Sequence, residues 1–260
     1  MTIGKMIGRG KTADVYEWGK HEVIKVFHEA HQAAEEANNA SLIAGLDIRT
    51  PRFGGLVEHE GRQCLIYERI RGHSMLWQIE PKQESILANA KLMAELQHQL
   101  HGLQVEFTPN LKQELTYKIK AAPSLSDMEK DRILASMVRL PEGRTLCHYD
   151  FHPDNILLAA DGPVIIDWMN VLVGDAAADV ARTSMMIRSH AVPPQAPGWL
   201  HERELRLLFH DTYAEAYKRL SGMRAEEIET WRLPTLAARI IEMSGEERNE
   251  IVRLVEEILA

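Results

Sequence analysis

The stretch Cys147–Trp168, C-H-Y-D-F-H-P-D-N-I-L-L-A-A-D-G-P-V-I-I-D-W, constrains this chain more than any other part of it. Asp161-Gly162 lies between apolar runs and is a strong hairpin signal. A two-residue loop at that dipeptide pairs Ile156 with Asp167. A three-residue loop, Ala160-Asp161-Gly162, pairs Asn155 with Asp167 instead. In either register Asn155 and Asp167 meet at the base of the ladder. In the second they share a face, with Cβ atoms roughly 4.5–5.5 Å apart. Asp150 stands just upstream. Two oxygen donors side by side with a third acid nearby suit a hard cation such as Mg²⁺.

The bulk properties exclude several classes. The net charge is −8 with no long basic run, so binding to nucleic acid through its phosphates is not expected. No apolar stretch approaches the ~18 residues needed to span a membrane, and Met-Thr-Ile-Gly-Lys does not read as a signal peptide. Cys64 and Cys147 each sit among apolar residues, as buried thiols in a reducing compartment would. The expected location is the cytoplasm. The sequence carries no signal for an oligomeric state.

Residues 1–70 read as strands around one helix: Thr2–Ile7, Asp14–Trp18, His21–Phe27, helix His31–Leu46, then Phe53–Glu58 and Gln63–Ile70. From Gly72 the pattern turns helical, with Gln83–Leu100, Leu111–Ala121 and Ser126–Leu140 before the hairpin. Ser124 or Ser126 can cap the last of these. Asp175–Ser189 and helices near 200–221, 225–243 and 245–259 follow it. Lys25 sits in an apolar strand beside Ile24 and Val26 and needs a counter-charge or solvent.

His148-x-Asp150-Phe-His-Pro-Asp-Asn155-Ile-Leu, followed by Ile165-Ile-Asp167-Trp, resembles the aminoglycoside-phosphotransferase-like kinases, a family that includes choline, homoserine, fructosamine and methylthioribose kinases. The resemblance implies an α+β, bilobal protein-kinase-like fold. Its N-lobe would span residues 1–72, a β-rich sheet with one helix. Its larger, mainly helical C-lobe would span 73–260, with the cleft between the two as the working site. It also implies transfer of the γ-phosphoryl of ATP (or GTP), with Mg²⁺, to a small-molecule hydroxyl. Asp150 would be the catalytic base, and Asn155 and Asp167 the metal ligands. Many members have Gly where this chain has Tyr149.

Other segments extend the likeness. Ile7-Gly8-Arg9-Gly10-Lys11-Thr12-Ala13 resembles the nucleotide-covering loop, with Gly8, Gly10 and Thr12 at the phosphates and Ala13 in place of a third glycine. The segment lacks the spacing of a Walker loop. Lys25 would contact the α/β phosphates and pair with a helix glutamate, Glu36 in preference to Glu35. Leu65–Gly72 resembles the segment that receives the adenine edge, through the backbone of Glu68 and Ile70. Gly174-Asp175-Ala-Ala-Ala-Asp179 resembles a motif whose second acid braces the catalytic loop.

Two other readings compete. His148, Asp150, His152 and Asp154 alternate and on a strand would face one side, as in a metal-dependent hydrolase, although Pro153 disfavours a regular central strand. A nucleotide-binding pseudokinase would lack one of Lys25, Asp150, Asn155 and Asp167, and all four are present. The acceptor has no motif. Residues 171–260 hold 11 Lys+Arg and 15 Asp+Glu, a mild acidic excess that would suit a cationic amine.

Overall fold

The computed structural model describes residues 2–106 and 109–260. Ten strands and eleven α-helices fall into two compact units among the described residues, and the chain passes between them more than once. One unit is Met1–Gln78 with Pro153–Asn170, and the other is Ile79–His152 with Val171–Ala260. A single division at residues 72–73 is therefore not what compactness gives. The hairpin groups with the N-terminal sheet because strand β6 (Gly72–Ser74) pairs with β8 (Ile156–Ala159), which pairs with β9 (Gly162–Ile165).

The first unit is built on a five-stranded antiparallel sheet. Its strands are β1 (Ile3–Arg9), β2 (Ala13–Trp18), β3 (Glu22–Phe27), β4 (Phe53–His59) and β5 (Arg62–Glu68), in the order β1-β2-β3-β5-β4. Strand periodicity sorts β3 onto two faces. Ile24 and Val26 are buried with Cys64 and Ile66 on one side. Phe27 is buried with Leu65 and Ala33 on the other, where α1 (Ala30–Ile43) packs. Lys25 is two residues from Phe27 and pairs in register with Leu65, so it shares the helix-side face. On α1 the buried residues are Ala33, Glu36, Asn39, Ala40 and Ile43, a spacing of three and four that turns Glu36 inward.

The second unit is helical. Helix α3 (Gln83–His101) packs against α8 (Arg203–Ser221), burying Met93, Ala94 and Gln97 on one and Phe209, Tyr213 and Tyr217 on the other. A second core gathers Leu111, Leu115 and Ile119 of α4 (Leu111–Ala121), Ile133 and Met137 of α5 (Asp127–Val138), and Val255 and Leu259 of α11 (Gly245–Leu259). Ser126 caps α5 in a reciprocal box with Glu129. The helix expected over 225–243 is broken into Ala225–Thr230, Arg232–Arg239 and a 3₁₀ turn at Ile240–Glu242. Pro234 explains the first break: it has no amide to continue the ladder and is tolerated only in a first turn.

A short ribbon, Thr145–Cys147 against Leu172–Gly174, leads into residues 148–152 and ends just before α6 (Ala176–Arg188). Gly143 approaches this ribbon at φ +68°, and a Cβ there would lie 2.1 Å from the Gly174 carbonyl oxygen. Gly143→Ala should therefore cost on the order of 1–3 kcal/mol and lower the melting temperature by several degrees. Gly45→Ala, where a Cβ meets nothing within 4 Å, should leave it unchanged. Equal melting temperatures for the two variants would contradict this packing.

Candidate active site

In the first unit, Lys25 Nζ donates to Glu36 Oε2 at 2.6 Å and to Asp167 Oδ1 at 3.0 Å. Glu36 is 2% exposed, and its other oxygen accepts from Tyr67 Oη at 2.9 Å. Glu35 is on the exposed side of the same helix, so Glu36 is the lysine's partner. Burial alone would lower the Lys25 ammonium, but the charges of Asp167 and Glu36 outweigh it and raise it. Burial also lifts the Glu36 carboxyl, against the pull of Lys25. The Tyr67 hydroxyl is raised by burial and by Glu36, which leaves it a neutral donor.

The hairpin closes one step earlier than either sequence register. Ala159 pairs with Gly162 and Ile156 with Ile165, so Ala160-Asp161 is the loop and Gly162 opens the outgoing strand at φ +121°. The backbone of Asn155 consequently meets Ile166, whose amide donates to the Asn155 carbonyl at 3.0 Å. Asp167 lies beyond the ladder at φ +64°, a left-handed conformation uncommon outside Gly, Asn and Asp. That turn ends the strand alternation and puts the carboxylate against Lys25. The residues after it are held by Asn39 Nδ2, which donates to the carbonyls of Trp168 and Met169 at 3.1 and 3.0 Å. Trp168 is buried and donates through Nε1 to Thr50 Oγ1 at 2.8 Å. Asn155 is buried, whereas the Asp167 side chain is 38% exposed.

The glycine-bearing turn joins β1 to β2. The Gly10 amide donates to the Ala13 carbonyl at 2.8 Å, and a Cβ on Gly10 would stand 2.9 Å from that oxygen. Gly8 has room for a Cβ, which would meet Val15 at 3.5 Å. The Thr12 carbonyl accepts from the His28 amide. At the end of β5 the Glu68 amide donates to the Arg52 carbonyl at 2.9 Å. Neither backbone group of Ile70 has a partner among the described residues.

In the second unit the constellation centres on Asp150. Asp179, fully buried, accepts the amide of His148 at 3.1 Å through Oδ2 and that of Tyr149 at 2.8 Å through Oδ1. His101 and Gln97 add contacts to the same carboxylate at 3.0 and 3.2 Å. Burial would raise Asp179, and His101 and His148 overcome it and keep the carboxyl low. The Asp150 amide donates to His148 Nδ1 at 3.3 Å, which makes that nitrogen the acceptor. Thr183 Oγ1 holds the Phe151 carbonyl at 3.0 Å. Burial acts to raise the Asp150 carboxyl too, but His152, 3.6 Å away, together with Arg182 and His148, holds it well below the ordinary carboxylate range.

Tyr149 adopts φ +60° with its ring buried, and the Arg182 guanidinium lies 4.7 Å from that ring's centre. Arg182 pairs with Glu242 at 2.8 and 3.3 Å, and Lys118 reaches the same carboxylate at 2.9 Å. Burial opposes the Glu242 charge, but Arg182 and Lys118 bring its pKa down to about 2.

The alternating metal cluster of the hydrolase reading does not form. Residues 148–154 are not a strand, because Tyr149 is left-handed and Pro153–Asn155 is a 3₁₀ turn. Asp154 accepts from Ser74 Oγ at 2.5 Å. Among the described residues no group of three or more His, Cys, Asp and Glu side chains is arranged to hold a metal ion. No helix among them is long and apolar enough to cross a membrane.

Residues 5–220 match the Phosphotransferase enzyme family. The chain belongs to that family. Its fold is that of solved family-type kinases. A thermostable mutant of aminoglycoside phosphotransferase APH(4)-Ia in its apo form shares 14% identity at a TM-score of 0.69, over 99% of this chain and 94% of that one. The streptomycin-ATP-APH(2")-IIa ternary complex shares 15% at 0.62, over 99% and 91%. The amicoumacin kinase hAmiN, in complex with AMP-PNP, Ca²⁺ and Ami, shares 12% at 0.64, over 98% and 87%. No match was found among curated proteins. The phosphotransferase fold is thus the α+β, kinase-like one, with a β-sheet N-terminal region and a helical C-terminal part.

Sequence reasoning about this phosphotransferase missed Tyr67 and the Arg182–Glu242–Lys118 cluster. Tyr67 was findable, because it lies on the Lys25 face of the sheet, two residues from Leu65. The cluster joins three helical segments far apart in sequence, and no spacing reports it.

Glu242 also sets a pH dependence. Its folded pKa is depressed from 4.5, so its stabilisation is present above about pH 4.5 and disappears as pH falls towards about 2. Glu242→Gln should cost about 3–5 kcal/mol at neutral pH, because it leaves Arg182 buried without its partner. Urea unfolding from pH 6 to pH 2.5 should show a shallower acid decline for the variant. Parallel curves would contradict the assignment.

Proposed function

We propose that this phosphotransferase moves the γ-phosphoryl group of ATP (or GTP), with Mg²⁺, to a hydroxyl of a small molecule. The observation that carries this reading is Lys25, a largely enclosed ammonium fixed between Glu36 and Asp167. A lysine so held is a point charge for nucleotide phosphates, and its geometry is set before any ligand arrives. The relatives solved with ATP, with GDP and with AMP-PNP and Ca²⁺ support nucleotide and divalent-cation use.

The donor set fits Mg²⁺. Asn155 and Asp167 offer an amide and a carboxylate oxygen, and the Asp167 carboxylate is both solvent-accessible and anchored by Lys25 through one oxygen. When bound, the metal would neutralise charge developing on the transferred group. Gly10, bare of a side chain, and the neighbouring Gly8 and Thr12 are assigned to the phosphates, and Ile70 with the Glu68 carbonyl to the adenine edge.

Asp150 is assigned as the base. A bond forms between the acceptor oxygen and Pγ as the bond from Pγ to the β-phosphate oxygen breaks, and the hydroxyl proton passes to the Asp150 carboxylate. Because His152, Arg182 and His148 keep that carboxylate ionised and weakly basic, its work is to orient the hydroxyl and take the proton late. Both cysteines are free and buried, which supports a reducing compartment and a cytoplasmic setting.

Asp150→Asn should retain nucleotide binding and lose about 10²–10⁴-fold in transfer rate. Transfer near the wild-type rate would remove Asp150 from the role. Asp167→Ala should abolish Mg²⁺-dependent turnover, and unchanged activity would sink the metal assignment. Lys25→Met should weaken nucleotide binding measured by calorimetry.

A further inference from the structure

A cavity of about 310 Å³ opens in the helical unit, between the end of α6, the helices Ala225–Thr230 and Arg232–Arg239, and α11. That is the size of a small-molecule site. Its charged lining is not the acidic surface that the composition of residues 171–260 leads one to expect. Arg232 is matched by Glu229 at 3.0 Å. Arg188 lines the cavity exposed and has no carboxylate partner among the described residues. Glu247 and Glu250 also contribute, and Glu247 is exposed to solvent.

Arg239 is different. Its side chain is only 19% exposed, and its nearest carboxylate, Glu242, is 3.9 Å away. Glu242 is already engaged by Arg182 at 2.8 Å and Lys118 at 2.9 Å. One carboxylate therefore serves three cations, and Arg239 is the one left short. Burial, then the charge of Arg182, presses its guanidinium below the usual range, and the charges of Glu242, Asp150 and Glu247 only partly offset this. A half-buried guanidinium on a cavity wall, 3.9 Å from a carboxylate already taken by the Arg182 that lies on the Tyr149 ring, is an arrangement completed by an anion from outside.

We infer that this cavity is the acceptor site and that Arg239 selects acceptors carrying an anionic group, a carboxylate or a phosphate ester, near the reacting hydroxyl. The inference rests on the proposed transfer to a hydroxyl and names the chemical class of its acceptor. It separates this chain from relatives solved with streptomycin or gentamicin.

The test pairs transfer with direct binding on the full-length protein. Transfer from γ-labelled ATP with Mg²⁺ is measured for glycerate (carboxylate), glycerol 3-phosphate (phosphate ester), glycerol (neutral) and choline (cationic). Binding of each compound is followed by calorimetry without nucleotide. At least one of the two anions should bind and be phosphorylated with a KM about tenfold or more below that of glycerol, and choline should be the poorest. Which anion prevails distinguishes the two sources of charge. Arg239→Gln should raise KM for the preferred anion about tenfold or more, and Arg239→Lys should recover part of it. Melting curves confirm that both variants fold. Transfer to choline or glycerol as efficient as to either anion overturns the inference while leaving phosphoryl transfer standing. So does absence of anion binding at millimolar concentration, or binding indifferent to Arg239→Gln. Arg239-dependent anion binding with no transfer to any compound supports the anion site and counts against the transfer reading instead.

Discussion

The Asp179 carboxylate is the contact on which the loop carrying Asp150 depends. A fully buried charge is costly unless its lone pairs are filled, and here two backbone amides, an imidazole and a side-chain amide fill them. The two amides belong to His148 and Tyr149, the residues immediately before Asp150. Fixing both N–H groups on one carboxylate dictates the backbone there and forces Tyr149 to φ +60°. A non-glycine residue pays about 1–2 kcal/mol for such a conformation. This chain offsets it by burying the Tyr149 ring and setting Arg182 on its face.

The contact of Arg182 with the Tyr149 ring has electrostatic consequences. Arg182 lies on the Tyr149 ring, pairs with Glu242, and reaches Asp150 with its charge. Lys118 and Arg239 share the same carboxylate. The environment of the proposed base is thus more cationic than the net charge of the chain suggests. In the other unit the same logic runs with opposite stoichiometry: one cation, Lys25, serves two carboxylates, Glu36 and Asp167. The Lys25 site thus holds more carboxylates than cations and the Glu242 cluster more cations than carboxylates, each in the sense that suits the ligand proposed for it: a divalent cation beside Asp167 and an anionic acceptor beside Arg239.

Much of this was legible in the sequence because it is written in local periodicity. The alternation of Val23, Ile24, Lys25, Val26 and Phe27 puts the lysine on a defined face, and the three-and-four spacing on α1 separates Glu36 from Glu35. The hairpin was legible but not its register. An Asp-Gly pair signals a turn without saying whether glycine sits in the loop or opens the next strand, and here it opens the strand. The break at Pro234 was available from the residue itself and was lost in a long helical pattern. The interleaving of the units was not available, since it follows from the pairing of Gly72–Ser74 with a strand some eighty residues away. Nor was the Arg182–Glu242–Lys118 cluster, whose members are ordinary helix-surface residue types until packing buries them.

The central claim is that phosphoryl passes from a nucleotide to a carbon-bound hydroxyl. Mass spectrometry of reactions run with ATP whose γ-phosphate oxygens carry ¹⁸O tests it directly, across hydroxy acids, amino alcohols and sugars, with Mg²⁺ and with a chelator. Transfer to a hydroxyl gives a phosphate ester that retains three labelled oxygens, with the bridging oxygen from the acceptor, formed only when Mg²⁺ is present. Labelled inorganic phosphate as the sole product, or hydrolysis of added phosphate esters without nucleotide, would contradict it.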